Sequence, residues 1–202
     1  MALLIVISGP AGVGKTTICN RLLDEFKNSL SRVVTTTTRA PRIGETDGID
    51  YFFISKNNFE ENLQNGNFLE HEIIHENYYG TSKSAVTQKL QDGKNILINI
   101  DVKGAESLRK KICDFQNLGQ KLISIFIKPN SIEELKARLL NRGSDNLKEI
   151  SKRLKTAEHE LQYACHFDHT VLSSQKENDY QTILAATLQV VARVLFHPFG
   201  RH

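Results

Sequence analysis

The sequence predicts an α/β fold: a parallel sheet flanked by helices, with a smaller mixed α+β lobe inserted into it. The chain opens with an uncharged, β-prone run, LLIVIS, followed at once by glycine-rich sequence and a helical pattern. From about residue 82 onward, apolar runs of strand length alternate with amphipathic segments of helix length, the rhythm of a parallel sheet covered on both faces. Between these, over residues 32–81, strand and turn signals dominate, as an inserted lobe would show.

Leu3 to Ser8 reads as a buried strand, and Ile18, Leu22, Leu23 and Phe26 recur at helical spacing behind it. VVTTTT and YFFIS are β-branched or aromatic and read as short strands. SKNNFEENLQNG reads as a short helix that Ser55 caps and Gly66 ends, and FLEHEII as a strand. SKSAVTQKLQDG is then a helix ending at Gly93, NILINI a buried strand, GAESLRKKI a helix and KLISIFI another buried strand. SIEELKARLLNRG begins with a capping box, Ser131 with Glu134, and stops at Gly143. NLKEISKRLKTAEHELQYA reads as a helix, HTVL as the last core strand and DYQTILAATLQVVARVLF as a closing helix.

The 202 residues suit one domain, and 40% hydrophobic with 24% charged residues is the composition of a soluble globular protein. A net charge of +3, dispersed along the chain, suits a small anionic substrate and is too weak to argue for nucleic acid. Cys19, Cys113 and Cys165 form neither a disulfide framework nor a C-x-x-C knuckle, which points to reduced thiols in a cytoplasmic protein. MALLIVISG lacks the basic start and the length of a signal peptide, and no apolar run approaches membrane-spanning length, so no membrane partner is expected.

Gly9 to Thr16 reads GPAGVGKT, a G-x-x-x-x-G-K-[ST] motif between a predicted strand and a predicted helix. That context makes the sheet one of the phosphate-loop NTPase type. Glycines let backbone N–H groups turn inward around phosphate oxygens, Lys15 neutralises the β/γ-phosphates, and the Thr16 hydroxyl suits Mg²⁺. LINID supplies an acid, Asp101, at the end of a buried strand, where it would hold the magnesium shell.

HEIIH, His71 to His75, matches the H-E-x-x-H zinc pattern in letters. A zinc site of that kind needs a helix, so that both histidines share one face. Ile73, Ile74 and the flanking turn signals favour a strand, which would hold the two histidines about 13 Å apart. Zinc is not expected.

Behind GPAGVGKT, the blocks TTTTRAPRIGE, FLEHEIIHENYYGTS, LINIDVKGA and LKARLLNRG, in this order, resemble guanylate kinases over nearly the whole chain. The resemblance implies a kinase that transfers the γ-phosphate of ATP to GMP, and to dGMP. It implies a core of residues 1–31, 82–129 and 155–202, a GMP-binding lobe of 32–81 and a lid of 130–154. The ATP phosphates would lie on Gly9, Pro10, Ala11, Gly12, Val13, Gly14, Lys15, Thr16 and Thr17, with magnesium at Thr16 and Asp101. The GMP phosphate would be clamped by Thr35, Arg39, Arg42, Tyr51 and Tyr79, residue types that pair well with phosphate oxygens. Glu70 would accept from guanine N1–H and the 2-amino group, Thr81 would reach O6, and Asn99 would assist. Adenine has no N1 proton, and a site built on such hydrogen bonds can reject an analogue by roughly 10⁴ or more.

In the lid, Arg138, Arg142 and Arg153 would close over the ATP phosphates, joining Lys15 and Arg39 as catalytic residues. Arginines of this kind contribute about 10³–10⁵ in rate in other phosphoryl-transfer systems. The chain departs from the family pattern at Asn99, where many members carry Asp, and at Ser173 and Ser174, where an Asn-Asp pair is common. The alternative is a catalytically inactive binding module of the same fold. Such modules typically lose the phosphate-loop lysine, which is intact here.

Overall fold

The computed structural model describes residues 2–74, 76–111, 121–141 and 146–173, together with Gln181, Ala185, Gln189 and Ala192. Its core is a five-stranded sheet among the described residues, built of β1 (Leu3–Ser8), β2 (Leu30–Arg32), β7 (Asn95–Asn99), β8 (Lys121–Pro129) and β9 (His169–Ser173). The strands stand in the order β2-β7-β1-β8-β9, and every pairing is parallel. β1 is central: Leu4 lies opposite Ile96 on one side and Leu122 on the other.

That position explains the composition of LLIVIS. Its alternating side chains feed two different cores, one on each face of the sheet. Leu3, Ile5 and Ile7 pack with Ile18 and Leu22 of α1 (Lys15–Glu25), Leu135 and Leu139 of α5 (Ile132–Asn141), and Ile150 and Ala157 of α6 (Leu147–Gln162). Leu4 and Val6 pack with Val86 and Leu90 of α3 (Lys83–Gln91) and Ala105 and Leu108 of α4 (Val102–Lys111).

The lobe is a second sheet of β3 (Thr36–Thr37), β4 (Phe52–Phe53), β5 (Phe68–Ile74) and β6 (Asn77–Ser82), in the order β4-β3-β6-β5. Helix α2 (Lys56–Gln64) is seated on it by Phe59, which is fully buried and stacks on Phe68 with ring centroids 4.3 Å apart. Ser55 caps α2 by accepting from Asn58 N at 3.2 Å. Helix α4 packs against β5 and joins the lobe to the core.

Most expected elements are present, with four differences: NYYGTS, read only as a flanking turn signal, is strand β6, and three expected elements have other bounds. VVTTTT is not one strand: β2 ends at Arg32 in the core sheet, and β3 begins at Thr36 in the lobe sheet. Val33 N still donates to Leu97 O at 3.1 Å, after which the chain crosses from one sheet to the other. YFFIS narrows to Phe52–Phe53, held by Phe52 N to Thr35 O at 2.9 Å and Ile54 N to Thr37 O at 3.0 Å. α4 begins at Val102, before the expected Gly104, because Asp101 accepts from Gly104 N at 3.0 Å and caps the helix.

His71 to Ile74 of HEIIH fall on strand β5, and no cluster of three metal-ligating side chains exists among the described residues. His75, Cys113, Arg142, Gly143, Ser174 and nearly all of the expected closing helix lie outside the described residues. No described helix is long and apolar enough to cross a membrane.

Candidate active site

The expected phosphate loop follows the C-terminal end of β1, and Asn99 and Asp101 lie at or just beyond that of β7, the end where ligands bind in open parallel sheets. The phosphate loop joins β1 to α1. At Gly9, φ is +138°, and a Cβ would stand 2.2 Å from Ile127 O, so only glycine lets the loop leave β1 so close to β8. Val13 anchors the loop from below and is fully buried in the core on the α1 face. Lys15 Nζ reaches back across the loop to Gly9 O at 2.5 Å and Pro10 O at 3.0 Å. Thr16 and Thr17 are exposed in the first turn of α1.

Asp101 stands between β7 and α4. Burial pushes its carboxyl above the usual range, against the lowering effect of the Gly104 N–H and of Lys15. Asn99, expected on the acceptor side, instead has its Nδ2 3.4 Å from Thr16 Oγ1, on the phosphate-loop side.

In the lobe, the antiparallel β5–β6 register places Glu70 directly opposite Thr81. Glu70 is 3% exposed and accepts a hydrogen bond from the Thr81 hydroxyl. Burial pushes its pKa up to about 7; the Thr81 bond lowers it, and the Asp101 charge raises it further. Thr81 therefore gives its proton to Glu70 in this structure, rather than holding it for a carbonyl of the base.

Gly104 is the point where the two halves of the site meet. A Cβ there would stand 2.9 Å from Asp101 Oδ1 and 3.0 Å from Glu70 Oε2. The two carboxylates thus share the space that this missing side chain leaves.

Of the residues expected to clamp a phosphate, Tyr51 and Tyr79 lie beside Arg39. Its Cζ lies 5.4 Å from the centre of the Tyr51 ring, and the Tyr51 and Tyr79 rings meet edge to face at 6.1 Å. Burial works against the Arg39 cation, but Glu45 and Tyr79 more than offset it and raise its pKa. Thr35 is buried where the chain enters the lobe, and Arg42 is partly exposed in the turn that follows Arg39.

Among the expected lid residues, Arg138 lies on α5 and is tied to the core. Its Nη1 donates to Val13 O at 3.0 Å and Ser173 Oγ at 2.8 Å, and its Nη2 to Glu134 Oε1 at 2.6 Å. Arg153 on α6 has its Nε 3.5 Å from Glu149 Oε1.

Two carboxylates at the site were not anticipated. Glu45 pairs with Arg39 at 2.9 Å. Glu160, near the end of α6, carries a pKa pushed up to about 7 by burial, and it feels the charges of Lys15, Asp101 and Lys103. The spacing of Ile150, Arg153, Ala157 and Glu160 traces one face of α6 and was the available signal for it. Glu45 is the last residue of the TTTTRAPRIGE block, which was the available signal for it.

The family model described as guanylate kinase matches residues 1–190. A guanylate kinase of Clostridium perfringens (strain SM101 / Type A) is 40% identical over 191 residues, covering 95% of this chain and 85% of its own. One of Campylobacter jejuni (strain RM1221) is 37% identical over 182 residues, covering 90% and 86%. Among solved structures, a guanylate kinase from Anaplasma phagocytophilum superposes with a TM-score of 0.72 at 25% identity, covering 99% of this chain and 87% of that one.

Proposed function

The chain belongs to the guanylate kinase family and catalyses ATP-dependent phosphorylation of GMP, and on that premise we propose how its residues divide the reaction. The observation that carries the assignment of the acceptor pocket is Glu70, a buried carboxylate opposite a hydroxyl in the lobe. A phosphorylated sugar would need no such group. Guanine supplies two donors on one edge, N1–H and the 2-amino group, and an ionised carboxylate accepts both. dGMP presents the same edge and is expected to serve as well.

The phosphate loop receives the ATP phosphates through its backbone N–H groups, and Lys15 turns from Gly9 O and Pro10 O toward the anion. The Thr16 hydroxyl and the Asp101 carboxylate are hard oxygen donors on neighbouring elements. They fit a magnesium ion bound mostly through nucleotide oxygens and water, since Mg²⁺ takes one or two protein groups in such sites. When bound, that ion neutralises charge on the phosphates. Arg39, Arg42, Tyr51, Tyr79 and Thr35 hold the GMP phosphate and orient its oxygen as nucleophile. That oxygen is already anionic, so positioning and charge neutralisation do most of the catalysis. Arg138 and Arg153 add positive charge from the lid side, as Arg142 would. The free thiols of Cys19 and Cys165 support a reducing, cytoplasmic setting in purine nucleotide metabolism.

The test is coupled ADP release with Mg-ATP and, separately, GMP, dGMP, AMP, CMP and UMP. Turnover with GMP and dGMP alone is expected. Glu70→Gln should weaken GMP binding and relax selectivity. Absence of turnover with every acceptor in folded protein would instead support the inactive binding module.

A further inference from the structure

We propose that Glu45 is a positioning residue for the acceptor substrate, fixing Arg39 so that one guanidinium donor, Nε–H, is reserved for the phosphate of GMP. The proposal rests on the reading of this lobe as the GMP pocket. Glu45 belongs to the turn that begins at Arg42, closed by Glu45 N donating to Arg42 O at 3.0 Å. Its carboxylate points back along the chain. Arg39 Nη2 donates to both oxygens, at 2.9 Å each, and Arg42 N donates to Oε2 at 2.8 Å. Arg42 Nη1 stands 4.0 Å from Oε1. One carboxylate therefore holds both arginines expected to clamp the phosphate.

The rest of the Arg39 guanidinium is held as closely. Nη1 donates to Ala40 O at 2.6 Å, and the group lies 5.4 Å and 5.8 Å from the Tyr51 and Phe53 ring centres. The Arg39 side chain is 13% exposed and that of Glu45 is 16% exposed. In this setting Arg39 Nε is buried and has no hydrogen-bond partner among the described residues. Orphaned buried donors are uncommon in folded proteins, and such a donor at a binding site calls for a ligand atom. A phosphate oxygen fits, because guanidinium N–H groups bind phosphate with strong, directional, charge-assisted bonds.

Glu45 also brings a negative charge near an anionic substrate, which by itself would oppose binding. The geometry favours positioning. Both carboxylate oxygens are engaged by Arg39 and Arg42, so the charge is met within the turn, and its removal would free the guanidinium to rotate.

The experiment is steady-state kinetics of the full chain with both substrates varied, on wild type, Glu45→Gln and Glu45→Asp. Glu45→Gln keeps the shape and loses the charge. Glu45→Asp keeps the charge and is one methylene too short to hold Arg39 and Arg42 together. Both are expected to raise KM for GMP by about tenfold or more, with KM for ATP within about twofold. An unchanged or lowered KM for GMP would overturn the proposal, as would an equal rise in both KM values. In case the variants do not fold, the wild-type protein supplies a second readout. Its Arg39 Nε–H resonance, identified by its loss in Arg39→Lys, should shift downfield with GMP and stay in place with guanosine. No shift with GMP would also overturn the proposal. If the wild type does not phosphorylate GMP, the reading of the pocket has failed rather than the role of Glu45.

Discussion

Burying a carboxylate is unfavourable unless a partner compensates its charge. Glu70, at 3% exposure, has mainly the Thr81 hydroxyl to offset burial, and its pKa is pushed up from 4.5 to about 7. The raised value has two consequences of defined sign. The folded state holds this proton more tightly than the unfolded chain, so the stability it contributes is full below about pH 4.5 and is lost as pH rises through about 7. In the proposed base-reading role Glu70 must be ionised, so GMP binding should weaken as pH falls through about 7, with affinity dropping up to about tenfold for each further unit. Calorimetry of GMP binding without ATP or metal, in buffers of different ionisation heat, should detect proton release at pH 6 to 7. Equal apparent affinity at pH 6 and pH 8 would remove Glu70 from the base-reading role. Thr81 belongs in the same account, because its hydroxyl must rotate away from Glu70 before it can donate to guanine O6.

Helix α4 carries the junction between the two half-sites. Asp101 caps it, Gly104 lies in its first turn, and its flank packs on β5 of the lobe. Gly104→Ala tests that junction. Alanine favours a helix over glycine by about 1 kcal/mol, but its methyl would displace the Asp101 oxygen that caps the helix and the buried Glu70 carboxylate, so Tm should fall. The new methyl group would push the Glu70 and Asp101 carboxylates aside, raising KM for GMP and lowering kcat by about tenfold each. Wild-type kinetics in that variant would show that the shared space has no role.

How far the sequence could be read follows the same division. The strand–loop–helix around Gly9 to Thr16, the Ser55 cap and the position of Asp101 just beyond β7 are local, each fixed by a few consecutive residues, and all were legible. The break inside VVTTTT was not, because the residues on both sides are equally β-prone and only pairing decides which sheet each joins. The contact of the Asn99 amide with Thr16, a neighbour 83 residues away in sequence, is not legible locally. Glu45 is different: its partners Arg39 and Arg42 are six and three residues away, but a glutamate in a polar turn looks like surface until the turn's geometry is seen.

At the scale of the whole molecule, the loop proposed to hold the donor follows a strand of the core sheet, and the residues proposed to hold the acceptor phosphate lie on and around the strands of the lobe sheet. Phosphoryl transfer needs both nucleotides in line and water excluded, so the two parts are expected to close together. Small-angle scattering should give a smaller radius of gyration with a bisubstrate analogue than with either nucleotide alone; identical profiles would count against closure. The central place of β1 reaches back to the birth of the chain. LLIVIS is made before its partners β7 and β8, which arrive only after residues 95 and 121. At roughly 5–20 residues per second, the strand waits on the order of seconds to tens of seconds with no neighbour. It is uncharged, β-prone and free of proline, the profile of a segment that self-associates when exposed. The strand that organises the finished sheet is therefore the segment most in need of shielding on the ribosome, and a chaperone that holds it protects the whole fold.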